Sequence, residues 1–178
     1  MKNKVTMKTI FKICVLINII WMINGCSQNS QENKTPDFQF DSIHTVIYDI
    51  SQLKWIARDL SSLWKPNTNN LNITESILKS AIKENMNEYW SLLDTVTFKK
   101  YHRQYTFYTD SNNDSIVFIN AFCRVMNIPI DSAGTWILRP YDWKNTFMMV
   151  NDGGDCFWSI KINLTKKTYF DFMVNGEA

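Results

Sequence analysis

Two alternating segments joined by a short polar loop constrain this chain more than any other feature. Residues 98–108 and 115–123 flank Asp110-Ser111-Asn112-Asn113-Asp114, whose residue types tolerate left-handed backbone and make local turns. A loop centred on Asn112 pairs Phe107 with Val117, Tyr105 with Ile119, Arg103 with Ala121 and Tyr101 with Cys123. That face is mostly apolar. The other pairs Gln104 with Asn120 and His102 with Phe122, and is expected to be wetter. A slip of one residue would exchange the faces, so the hydrophobic pattern favours this register.

The rest of the chain is read around that hairpin. Residues 146–150 and 156–164 flank Asn151-Asp152-Gly153-Gly154-Asp155, a second hairpin signal, and 168–174 form a last strand after Thr165-Lys166-Lys167. Upstream, residues 44–48 read as a short strand. Asp49-Ile50-Ser51-Gln52 has the form of a capping box before a helical stripe of Leu53, Ile56, Ala57, Leu60, Leu63 and Trp64, ended by Pro66. Asn72-Ile73-Thr74-Glu75 has the same form before Ile77, Leu78, Ala81, Ile82, Met86 and Tyr89. The expected architecture is α+β: two N-terminal helices packed on one face of a four- to five-stranded antiparallel meander sheet.

The N-terminal segment is of another kind. Residues 1–12 are basic and carry no acid, and residues 13–23 are apolar apart from Asn18. The run is shorter than the ~20 residues a membrane span needs, and has the length and flanks of an export signal. It ends in Ile23-Asn24-Gly25-Cys26, which resembles the lipobox of bacterial lipoproteins. The resemblance implies cleavage before Cys26 and acylation of that cysteine, hence a membrane partner through the lipid and a place in the cell envelope, with the outer membrane as the expected bilayer. It covers residues 1–26 only. The expected organisation is therefore a signal peptide at 1–25, a flexible tether at 26–40 and a single α+β domain at 41–178. Ser, Gln and Asn dominate the tether, with too little apolar surface to fold.

Charge narrows the partners. Of 19 basic residues, Lys2, Lys4, Lys8 and Lys12 precede Cys26, leaving 15 against 17 acidic ones. A domain near −2 lacks the basic face that nucleic acid requires. None of the five glycines forms a dinucleotide or phosphate-binding loop, so no nucleotide is expected. Tyr101-His-Arg-Gln-Tyr105, Asn120-Ala-Phe-Cys123, Asp152-Gly-Gly-Asp-Cys-Phe-Trp158 and Val174-Asn-Gly-Glu-Ala178 are similar to the closing region of small uncharacterised bacterial envelope proteins. That resemblance spans a little under half the chain and implies a shared fold, nothing chemical.

Four cysteines are present. Cys14 falls in the signal and Cys26 in the lipobox. Cys123 and Cys156 remain, on core-facing strand positions of an exported domain, where a disulfide would contribute about 3–4 kcal/mol; two buried thiols are the alternative. A Cys123–His102 dyad is disfavoured because the two residues point to opposite faces of one hairpin. His44 and His102 are the only histidines, too few for a multi-histidine zinc site. Asp110, Asn112 and Asp114 open like a calcium loop, but Ser115 and Ala121 stand where its Gly and bidentate Glu belong. Arg103, on an apolar face, needs an acid, and Asp171 is the candidate. No catalytic residues, metal or cofactor are assigned. Trp136, Tyr141 and Trp143, in a loop-like stretch around Pro140, are the candidate ligand surface. The leading expectation is a lipoprotein with a non-enzymatic binding domain for an envelope protein, a glycan or another external ligand. The alternatives are a small hydrolase and an inhibitor or immunity-type protective protein.

Overall fold

The computed structural model describes residues 41–86 and 90–176. The signal, Cys26 and tether expectations, and Tyr89 of the helical stripe, lie outside the described residues.

The elements are β1 (His44–Val46), α1 (Ile50–Leu53), β2 (Ser62–Leu63), α2 (Thr68–Asn85), β3 (His102–Thr109), β4 (Ser115–Phe122), β5 (Asn127–Ser132), β6 (Thr135–Pro140), β7 (Phe157–Asn163) and β8 (Thr168–Val174). The main sheet runs β1-β3-β4-β7-β8, with β2 also pairing β3. The β3–β4 register is the expected one: Phe107 opposite Val117, Tyr105 opposite Ile119, Arg103 opposite Ala121, and Gln104 opposite Asn120. Its loop is held by Asp110, whose Oδ1 accepts from the backbone N–H groups of Asn112 and Asp114 at 2.8 and 2.9 Å. Asp114 Oδ2 in turn accepts from Asn163 Nδ2 at 2.9 Å and pairs with Lys166 at 2.5 Å. Asp110 thus shapes the loop itself, and Asp114 ties β3–β4 to the β7–β8 turn.

The fold is α+β as expected, but with one long helix instead of two on one face. The cap of α2, Asn67, lies five residues before the expected cap, Asn72. Asn67 and Asn70 exchange side-chain-to-backbone bonds at 2.9 and 3.0 Å, a reciprocal cap that draws the polar stretch from Thr68 onward into the helix. Its buried side chains are Leu71, Thr74, Leu78, Ala81 and Ile82, whereas Met86 is exposed. They pack on Phe107, Val117, Ile119, Ile160 and Ile162 from the sheet.

The first expected helix is a single turn, capped by Asp49, and it serves the opposite face. Leu53, Ile56 and Ala57 pack with Tyr108, Ile116 and Phe118. The chain then straightens to pair with β3: Ser61 N–H donates to Thr109 O at 2.8 Å and Trp64 N–H to Phe107 O at 3.1 Å. Trp64 joins the helix-side core and Leu63 the opposite one, the alternation of a strand. β1 lies parallel to β3, and the other pairings of this six-stranded sheet are antiparallel.

Residues 146–150 do not form the expected strand. Side-chain amides hold this segment over the second face of the sheet. Gln104, 1% exposed, donates to Trp143 O and Thr146 O at 2.5 and 2.8 Å and accepts from Met148 N–H at 2.9 Å. Asn120 donates to Met148 O at 2.7 Å, and Gln52 accepts from Phe147 N–H at 2.7 Å. The face expected to be wet is therefore largely buried at Gln104, Thr106 and Tyr108. Backbone groups without a sheet partner are satisfied by amides that the sheet presents.

Candidate functional site

The covering segment meets the end of β8 where Asn175 donates to Val150 O at 2.6 Å, and an open groove remains beside it over β4, β7 and β8. It encloses about 370 Å³. Trp55, Phe147 and Met149 come from the covering chain, Phe118, Asn120, Ser159 and Lys161 from β4 and β7, and Asp171 and Met173 from β8. Strand pairing sets the floor, with Phe118 opposite Lys161 and Asn120 opposite Ser159. Between Ser159 and Lys161 the β7–β8 register shifts, and Asp171 takes φ 50°. This irregularity brings the Asp171 carboxylate over Lys161, 2.9 Å from its Nζ.

The groove is apolar at the rim and polar in one corner. Trp55 is 50% exposed, Met149 62% and Met173 61%. The Lys161 ammonium lies 5.7 Å from the centre of the Phe170 ring and is paired to Asp171. Such a surface can hold an apolar group against adaptable thioethers and an indole, while the ion pair meets a polar flank. Among the described residues, no three His, Cys, Asp or Glu side chains stand together in a way that could hold a metal ion.

The expected aromatic surface is distributed over different surroundings. Trp136 is 72% exposed on β6. Tyr141 lies at the base of that strand, where its hydroxyl donates to Phe147 O at 2.8 Å. Trp143 is buried, edge-on to His102 at 5.1 Å and to Phe122 at 5.6 Å. His102 stacks on Phe122 at 5.5 Å, and burial lowers its pKa below the usual histidine range.

β5 and β6 form a hairpin where the sequence reading has a loop. They pair with each other and with no strand of the main sheet. The turn places Ala133 at φ 54° and Gly134 at φ 85°, the primed geometry that matches strand twist, and Asp131 Oδ1 accepts from Gly134 N–H at 2.7 Å. Leu138, opposite Pro129, is 71% exposed.

Cys123 and Cys156 sit at disulfide distance, with Cα atoms 4.9 Å apart, and close the loop that contains this hairpin. Just beyond Cys156, Phe157 packs so tightly on the preceding turn that a Cβ at Gly153 would lie 2.6 Å from its ring; Gly153 also holds φ 97°. Arg103 finds Glu75 on α2 at 2.6 Å rather than Asp171, and also donates to Tyr105 Oη and Phe98 O at 3.0 and 2.8 Å. Asp171 is three strands away, roughly 14 Å at sheet spacing.

The groove residues carry no motif. They come from separated segments, and only Trp55, off the apolar stripe around Leu53, signals a large side chain without a place in the core. No family model, curated protein or solved structure matches this chain.

Proposed function

We propose that this chain is a lipid-anchored protein of the bacterial envelope, expected at the outer membrane, whose α+β domain is a non-enzymatic binding module. The anchor rests on Ile23-Asn24-Gly25-Cys26 and the basic and apolar segments before it. The observation that carries the binding reading is the groove between the covering chain and β8, with Trp55, Met149 and Met173 each half exposed or more at its rim. Large apolar side chains gathered around a concavity mark recognition more strongly than the same residues scattered singly. The ligand class that fits is an envelope component or external molecule presenting an apolar group with a polar flank for Lys161 and Asp171.

A photo-reactive residue placed at Met149 or Met173 in growing cells tests this, with Lys79 on the exposed side of α2 as the control position. One discrete adduct from both groove positions, absent at Lys79 and weakened about tenfold by Trp55→Ala, is expected; tenfold corresponds to about 1.4 kcal/mol. No adduct, or the same adducts from Lys79, would contradict the reading.

A further inference from the structure

The β5–β6 arm is a second exposed apolar feature, built unlike the groove. Its cross-strand pairs are Pro129 with Leu138, Asp131 with Trp136, Ile130 with Ile137 and Ile128 with Arg139. Trp136 and Leu138 share one face, and Ile128 and Ile130 the other. A two-stranded ribbon alone is marginally stable in water, and this one carries apolar side chains on both faces.

The arm leaves the domain at a defined place. His44, Arg103, Ala121, Trp158 and Val174 are aligned across β1, β3, β4, β7 and β8. They mark one end of the sheet. β4 passes into the arm just beyond that end, and Tyr141 N–H closes the arm's base on Met126 O at 2.8 Å. The chain also enters the domain there, since Asp41 lies three residues before His44. The point at which the domain joins Cys26 and the root of the arm therefore share one end of the sheet.

We propose that the arm rests on the surface of the bilayer that holds the lipid anchor, with Trp136 and Leu138 at headgroup level. This rests on the lipid-anchor reading above. Fourteen residues separate Cys26 from Asp41. A coil of fourteen residues spans about 20 Å on average. Six residues of strand reach about the same distance. The arm is thus long enough to touch the surface from which the domain hangs. Its chemistry suits an interface: an indole and aliphatic side chains, with the Asp131 carboxylate held in the turn and Arg139 the other charge, both able to stay hydrated at headgroup depth. Area favours lipid over protein. One face of the ribbon covers roughly 200 Å², against about 800 Å² per partner in a stable protein interface. A bilayer contact adds to an existing anchor and has no such threshold.

The test uses full-length mature protein purified from membranes and phosphatidylcholine vesicles with brominated acyl chains. Flotation reads the anchor and tryptophan quenching reads the arm. Wild-type protein is expected to float and to be quenched. Trp136→Phe and Leu138→Asp are expected to float equally well and to lose the arm's share of quenching, Leu138→Asp doing so with Trp136 still present. Flotation with quenching unchanged in both variants would overturn the arm contact and leave the anchor standing. Failure to float would overturn the anchor reading and this inference with it.

Discussion

The central strands and the β5–β6 arm are both antiparallel pairs with apolar alternation, yet they differ in everything that makes a sheet stable. β3 and β4 are covered on both faces, by α2 on one side and by residues 47–60 and 143–150 on the other. Of their sixteen residues, only His102, Thr109, Ser115 and Asn120 are not buried. In the arm no residue is buried. Alternation alone therefore gives strand pairing, and the cover decides whether a strand carries the core or stays exposed. The Cys123–Cys156 pair stands at the boundary between the two regimes.

That contrast can be broken most severely from the sheet side. Phe107→Ala removes a fully buried ring packed on Trp64 and Tyr105 and is expected to destabilise the domain by about 4 kcal/mol in urea unfolding. Replacing both Cys123 and Cys156 by Ala opens a loop of sequence separation 33 and should cost about 3–4 kcal/mol on the chain-entropy model. The sharper expectation is spatial. The early loss should concentrate in residues 124–155, which proteolysis with sequencing of the first cuts would show.

A smaller effect follows from His102. Burial, then the charge of Lys144, holds its pKa below the ordinary value of 6.5, while a hydrogen bond that the ring donates to the Phe122 backbone carbonyl opposes them. A histidine depressed in the folded state binds fewer protons there than in the unfolded chain, so stability falls as pH drops below about 6.5. Melting temperatures at pH 7.5 and 5 should therefore diverge more for the wild type than for His102→Gln. The smallest effect is expected in the arm. Trp136→Ser and Leu138→Ser should each change unfolding free energy by no more than about 0.5 kcal/mol, because neither side chain is buried.

The same contrast explains what could be read in the sequence. The β3–β4 register was legible because a two-residue side-chain period on a buried face admits one pairing, and Phe107, Tyr105 and Arg103 all obey it. The arm was hidden by Pro129 and Pro140, which argue against a strand inside a sheet, although Ala133-Gly134 between alternating apolar residues was a usable turn signal. Both prolines are tolerated because the ribbon has open edges. The helical stripe from Leu53 to Trp64 misled because Leu63 and Trp64 answer to the edge of β3 rather than to a helix face. The cover at 143–150 follows no periodic rule, since its backbone partners are the amides of Gln104, Asn120 and Gln52. The groove inherits that illegibility, because one of its walls is this cover.

Residue-resolved hydrogen exchange on the full-length protein, with and without vesicles, tests the central claim most directly. Amides of β3, β4 and β7 are expected to exchange only with global unfolding in either condition. The β5–β6 amides should exchange through local opening in solution and slow when vesicles are added. Arm amides as protected in solution as those of β3, or unchanged by vesicles, would contradict it.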